Sequence, residues 1–414
     1  MKVCFQGGTK EVGRSSVLIK FYEDCILFDH GIKPLPKKGL HSPLPLKEKL
    51  DAAFITHGHL DHLGALPLIH TKIFGMEITS HFLKLLLMDS LKIAKQEGYF
   101  IGFDIEDVNR TVKSFEPIEY GEEIVVGNTK IVAYDAGHIP GSCMFLAENK
   151  GSVLYTGDFK LSDTRLVKGS DIKVEADVLI IESTYSDREH PERVKEEKKF
   201  IEFINETLNN DGIVLLPSFA VARSQEIILI LAEYGVNATV FVDGMATIST
   251  EIINAYPELQ RKYNSLKKAL QRLDVSYVEP HQRKKILKRP CIIIAGSGML
   301  EGGVILEYLK RVHDKENCSI AFTGFQVPGT AGYELLKTSR ININGKDLLV
   351  KANIKKFDFS SHASRSELFE LIDRVNPQKI FCIHGDKTEE FASELREKGF
   401  DAISPDATCY DINL

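Results

Sequence analysis

Six apolar runs in this chain break off at a histidine or a carboxylate. "CILFD" ends at Asp29, "AFIT" leads to His57, "IVAYDAG" to His138, "SVLYTG" to Asp158, "DVLII" to Glu182 and "IFCI" to His384. Short apolar runs bounded by Gly and polar residues read as buried β-strands. A strand end is rigid and the loop after it points away from the sheet, so side chains there can converge on one pocket. A single tip means little: His138 or His384 alone reads as a hydrogen-bonding residue, Asp29 or Asp158 as a turn aspartate, Glu182 as a surface acid. Their recurrence requires a fold in which strand ends meet.

One tip is much denser than the others. "THGHLDH" places His57, His59, Asp61 and His62 within six positions. On a helix, His57 and His59 would point to different sides, and the H-E-x-x-H pattern of helical zinc sites is absent. In an irregular loop, alternate residues can turn inward. His57 and His59 then hold one ion, and Asp61 and His62 a neighbour. Nitrogen and carboxylate donors suit zinc, with manganese and iron as alternatives. Two four- or five-coordinate ions need about seven or eight protein donors if one carboxylate is shared. The cluster supplies four, and His138, Asp158 and His384 complete seven. His30, His41, His70, His81, His190, His281 and His313 have no such company and read as structural.

The pattern along the chain changes after residue 183. Before it, short strands alternate with tight turns, with one clear helical stretch, "HFLKLLLMDSLKIAKQ". After it, helices such as "VKEEKKFIEFINETLNN" alternate with buried strands such as "GIVLLPSF" and "PCIIIAGSG", which indicates a parallel α/β sheet. Strand-tip chemistry returns near the end, in "SELFELIDRVNPQKIFCIHGDK". The expected organisation is a first domain over 1–183, an α/β insert over 184–350, and completion of the first domain by 351–414.

Composition narrows the setting. No apolar stretch among the 414 residues approaches the ~20 of a membrane span, and "MKVCFQGGTKEVG" lacks a signal-peptide core, so a cytoplasmic protein is expected. The seven cysteines are widely spaced without a C-x-x-C, and read as small buried hydrophobes in a reducing compartment. The net charge of −6 advertises no nucleic-acid partner. Locally, residues 261–289 carry ten Lys/Arg against only Asp274 and Glu279, either a solvated helix face or a backbone-tracking patch.

These residues resemble the signature of the metallo-β-lactamase superfamily and, within it, the β-CASP nucleases. Asp29, "THGHLDH", His138 in "AGHIPGS" and Asp158 in "YTGD" match the superfamily motifs. Glu182 in "IIESTY", His362 in "DFSSHAS" and His384 in "CIHGD" match those of the β-CASP branch. "LLPSFAVARSQEIILIL", "IIIAGSGMLEGG" and "FTGFQVPGTAG" are similar to the hallmark stretches of its insert. "GGTKEVGRSS" and "ITHGHLDHLGALPL" resemble the archaeal cleavage and polyadenylation specificity factor-like group, with no KH domains expected here. Ser364 after "SHA", where that group has Asp, is similar to the RNase J branch.

The resemblance implies an αββα metallo-β-lactamase sandwich with an inserted parallel β-CASP domain. It implies two zinc ions per chain, one held by His57, His59 and His138, the other by Asp61, His62 and His384, with Asp158 bridging. It implies hydrolysis of RNA phosphodiester bonds, with His362 as general acid oriented by Glu182, and Asp29 fixing a ligand histidine. Ser297, Thr330 and Ser361 stand as phosphate contacts. Single-stranded RNA is the expected partner, with homodimers or assemblies with related β-CASP subunits left open. A histidine at the position of His384 goes with RNA-processing members of the family. The expected activity is endonucleolytic RNA processing or 3′-end formation; 5′→3′ exonuclease action of RNase J type is the alternative. A small-molecule metallo-hydrolase needs neither the insert nor the His362–Glu182 pair, and a non-catalytic RNA-binding subunit does not need the full donor set.

Overall fold

Strand direction decides where each tip points. The structure, a computed structural model, describes residues 1–35 and 39–413, with side chains described outside 34–41; the side chain of His41 therefore lies outside the described residues. In one seven-stranded sheet the spatial order is Cys409–Asp411, Lys2–Gly7, Ser16–Phe21, Asp24–Phe28, Ala52–Phe54, Ile73–Met76 and Phe115–Ile118. Asp24–Phe28 and Ala52–Phe54 run parallel, so Asp29 and the segment to His57 leave the same edge. A second seven-stranded sheet has the order Ala402–Ile403, Lys379–Ile383, Val178–Glu182, Ser152–Tyr155, Cys143–Glu148, Thr129–Asp135 and Glu123–Val126. Val178–Glu182 is parallel to both Ser152–Tyr155 and Lys379–Ile383. Thr129–Asp135 lies two antiparallel steps from Ser152–Tyr155 and so points the same way. Asp158, Glu182, His384 and His138 thus emerge together.

The two sheets pack through aromatic rings. Phe28 and Phe54 of the first sheet meet Phe145 and Tyr155 of the second, with centroids 5.4–5.8 Å apart. All four rings are buried, and such pairs contribute roughly 0.5–1.5 kcal/mol each beyond their area. The period-two alternation turns the next residues outward. Leu27 and Ala53 share a core with Leu83 and Leu87 of the helix Glu77–Glu97. On the far side, Leu179, Ile181 and Ile380 share another with Leu368, Leu371 and Ile372 of Arg365–Val375. The result is the αββα sandwich the motifs imply.

A six-stranded sheet is all parallel, in the order Val275–Val278, Val240–Asp243, Cys291–Ala295, Ile213–Pro217, Ser319–Phe322 and Asn353–Lys356. Its central strands Cys291–Ala295 and Ile213–Pro217 are buried along their whole length, as continuous apolar runs in a two-faced sheet must be. The first compact unit comprises 1–163, 168–189 and 361–414, and the second 164–167 and 190–360. The return to the first unit comes at Ser361, ten residues later than 351. Asn353–Lys356 pairs with Ser319–Phe322 as the edge strand of the parallel sheet, which holds this stretch in the second unit.

The cysteine expectation is corrected at two positions. Cys4 and Cys409 form a disulfide, because the first and last strands pair antiparallel with these residues directly opposite. Their sequence separation of 405 hides that register from a reading of spacing. Cys25, Cys143, Cys291, Cys318 and Cys382 are free and buried. No helix among the described residues is long and apolar enough to cross a membrane.

Candidate metal centre

His57 and His59 lie on extended chain after Ala52–Phe54. Asp61 and His62 lie on a single helical turn, Leu60–Leu63, where the stretch "LDHLGALPLIH" can begin a helix. That turn rotates successive side chains by about 100°, which separates Asp61 and His62 from the pair before them. His57, His59, His138 and Asp158 form one set, and Asp61, His62 and His384 a second; within each, the donor atoms lie within 4.8 Å of one another. In the first set, His59 Nδ1 is 3.0 Å from His57 Nε2 and 3.4 Å from His138 Nε2. In the second, Asp61 Oδ2 is 3.9 Å from His62 Nε2 and 3.7 Å from His384 Nε2. Asp158 touches both: its Oδ2 lies 3.5 Å from His57 Nε2 and 3.3 Å from His62 Nε2, and its Oδ1 3.7 Å from His384 Nε2.

Four of the rings are gripped from behind. The Nδ1 atoms of His57, His62, His138 and His384 contact Thr56 Oγ1 (3.0 Å), Asp29 Oδ2 (2.7 Å), the Ser361 carbonyl (2.9 Å) and Ser15 Oγ (2.7 Å). Each grip fixes the tautomer and turns Nε2 toward the cluster. Asp29 is itself held, accepting from the Thr56 N–H at 2.8 Å and the Tyr155 hydroxyl at 2.9 Å. The aromatic core thus ends directly on the support of His62.

The donor set fits a metal on two grounds. His62 Nε2, His384 Nε2 and Asp158 Oδ1 are buried without a hydrogen-bond partner, and such atoms cost about 1–3 kcal/mol each unless something satisfies them. A cation does, and nitrogen with carboxylate oxygen is the donor chemistry of zinc. Protonation agrees. Burial, reinforced by neighbouring imidazoles, holds His57 and His138 well below the usual histidine range and His59 at about 4, so these rings are neutral. Burial also opposes charge on His62, but Asp158, Asp29 and Asp61 outweigh it and raise that ring. A metal held at His62 Nε2 would displace the proton there. Asp29→Asn, which removes the charge behind His62, is expected to weaken zinc binding about 10- to 100-fold. Competition with a chromophoric chelator measures it, and unchanged affinity would show that Asp29 does not support the ligand.

Beside the two sets, Asp158, Glu182 and His362 form a third. His362 Nδ1 sits 3.1 Å from both Glu182 oxygens and 3.9 Å from Asp158 Oδ2. The Phe159 N–H donates to Glu182 Oε1 at 2.9 Å. Burial works against the imidazolium, yet the charges of Glu182 and Asp158 prevail and raise the ring to about 9. The His362 side chain is 21% exposed, against 0–2% for His57, His62, His138 and His384. With His59, which is also only partly buried, it is a histidine of this group that solvent, and so substrate, can reach.

The three hydroxyl residues expected at phosphate divide. Ser361 is at the centre through its carbonyl on His138. Ser297 and Thr330 belong to the second unit and have local partners: Ser297 Oγ accepts from the Glu301 N–H, and Thr330 caps the helix Ala331–Thr338. The basic run is also sorted. Arg283 is spent on Asp243 and Glu307, and Arg261 on the Thr164 carbonyl. Lys288 and Arg289 instead join Lys315, Asp211 and Asn317 around a cavity of about 370 Å³. Several supporting residues went unread in the sequence: Ser15, Thr56, Tyr155, Lys160 and Glu367. Only Glu367 carried a sequence signal, since Ser364-x-x-Glu367 before an apolar run is a capping-box pattern.

Family models match along the chain: the metallo-beta-lactamase superfamily at residues 10–194, the Beta-Casp domain at 224–335, and the Zn-dependent metallo-hydrolase RNA specificity domain at 347–405. The chain is 38% identical to a probable RNase MJ4 of Methanocaldococcus jannaschii, over 98% of each protein. It is 33% identical to RNase aCSPSF2 of Saccharolobus solfataricus, over 97% of this chain and 83% of that one. It is 33% identical to the transcription termination factor FttA of M. jannaschii, over 96% and 69%. A crystal structure of a protein of unknown function from Enterococcus faecalis V583 superposes with a TM-score of 0.60 at 14% identity, over 99% of both chains, and shows the shared fold alone.

Proposed function

The chain belongs to the β-CASP family of metal-dependent ribonucleases within the metallo-β-lactamase superfamily, and from that premise we propose that it cleaves RNA internally, in RNA processing or 3′-end formation, with two zinc ions. The observation that carries the reading is the Glu182–His362 pair, set against Asp158 at the edge of the donor cluster. His57, His59 and His138 are the residues to hold one ion and Asp61, His62 and His384 the other, with Asp158 between them. Zinc, when bound, supplies positive charge that acidifies water and stabilises the charge of a five-coordinate phosphorus.

The rest falls to side chains. Water that has given one proton to solvent adds to phosphorus as hydroxide while the bond to the 3′-oxygen breaks, and that oxygen leaves as an alkoxide unless it receives a proton. His362 donates it, and the Glu182 carboxylate stabilises the imidazolium beforehand and fixes the ring's direction. A small-molecule hydrolase of the superfamily has no need of that pair.

Ser364 does not favour the exonuclease alternative. It is the N-cap residue of Arg365–Val375, a position that Ser and Asp fill about equally well. Product sizing on RNA labelled at either end tests the mode. Discrete internal fragments from both labels, abolished by chelator, are expected. Mononucleotides released from the 5′ end would overturn the endonuclease reading, and chelator-resistant cleavage the metal reading.

A further inference from the structure

A buried ion pair underlies the segment that carries His362. Lys160 and Glu367 are 6% and 8% exposed, with Lys160 Nζ 3.5 Å from Glu367 Oε2. Burying two charges is costly, and an apolar pair of similar size packs as well or better, so such a pair calls for a purpose beyond stability. Its other contacts supply one. Lys160 Nζ donates to the His362 carbonyl at 3.0 Å. Glu367 accepts from the Leu161 and Ser162 N–H groups at 3.1 and 2.6 Å, and from the Ser364 N–H at 2.7 Å. One carboxylate therefore ties the turn after Asp158 to the turn that holds Ser361 and His362. Lys160 crosses from the first turn to the second.

The geometry points to Lys160 and Glu367 as positioning residues that set the His362 ring against Asp158 and Glu182. They act through backbone: Phe159 N–H holds Glu182 from the 158–162 side, while the His362 carbonyl is held from the other. Alternative anchors for 361–364 would leave His362 on its segment but shifted, and a displacement of about 1 Å at a reacting group can cost about 100-fold in rate.

The inference rests on the reading of His362 as the general acid, so the experiment compares two substrates. RNA has a poor leaving oxygen that needs the proton; bis(p-nitrophenyl) phosphate has a good one that does not. Lys160→Met is expected to lower kcat on RNA about 10- to 100-fold, with KM within about two-fold and hydrolysis of the aryl diester little changed. Zinc content and the visible spectrum of the cobalt-substituted protein are expected to match the parent.

Either single variant leaves one charge unpaired and can lose stability. The double variant Lys160→Met with Glu367→Gln removes both charges. It is expected to recover thermal stability while its kcat on RNA stays low, since the donor to the His362 carbonyl is still missing. If kcat recovers together with stability, the pair is only structural and the inference fails. Equal loss on both substrates, or an altered cobalt spectrum, would also overturn it. If His362→Ala itself slows both substrates equally, the reading of His362 as the acid has failed instead.

Discussion

Asp158→Asn is expected to lower RNA cleavage by at least about a thousand-fold and to cost the protein bound zinc. Among the described residues, Asp158 is the one whose carboxylate faces both donor sets, with Oδ2 toward His57 and His62 and Oδ1 toward His384. An amide keeps the shape and loses the charge. It also presents an N–H₂ group to one set, where a donor repels a cation. The shared carboxylate supports several kcal/mol of metal-derived stabilisation, and each ~1.4 kcal/mol is tenfold in rate. Elemental analysis and end-labelled RNA measure the two effects. Two zinc ions retained with cleavage within tenfold of the parent would sink the bridging role. Thermal stability should fall as well, since ions held by these residues would tie the tip of Lys379–Ile383 to the 57–62 segment and so couple metal binding to folding.

His362→Ala is expected to slow RNA cleavage by about a hundred- to ten-thousand-fold with zinc content unchanged. The ring turns Nδ1 to Glu182, at 3.1 Å from both oxygens, and is more exposed than the buried ligands. That is the posture of a group that meets substrate. Loss of zinc in this variant would instead make His362 a ligand, since its Nδ1 is within 3.9 Å of Asp158. Glu182→Gln keeps a hydrogen-bond acceptor and removes the charge, so it should give a smaller loss in the same direction.

How much of this was legible beforehand follows from the reach of each interaction. The apolar strand runs were legible because a strand buried on both faces needs no partner to be recognised: "IVLLP" and "CIIIA" are buried throughout. The donors were legible because histidines and carboxylates recurring at six strand tips, one of them a dense cluster, point together to a shared ion. Ser15 was not, since a serine in "GRSSV" has many uses. Only the contact of its hydroxyl with His384, 369 residues away, gives it one. Lys160 looked like any lysine after a turn until the fold buried it against Glu367. The Cys4–Cys409 pairing depends on the register of the first strand against the last, which no local pattern encodes.

The sequence by itself determined which residues can bind a metal and that the chain alternates strands with helices beyond residue 183, while the proton-donating role of His362 is implied only by the family resemblance. Residue type and short-range periodicity carry that information, and both are local. The tertiary structure supplied the distances within and between the donor sets that the family resemblance implies, and it alone decided that His362 turns Nδ1 to Glu182 and that a buried Lys–Glu pair holds the His362 segment. Those depend on strand direction and on ångström-scale approach between residues hundreds of positions apart, which the packed fold creates and the linear chain does not contain.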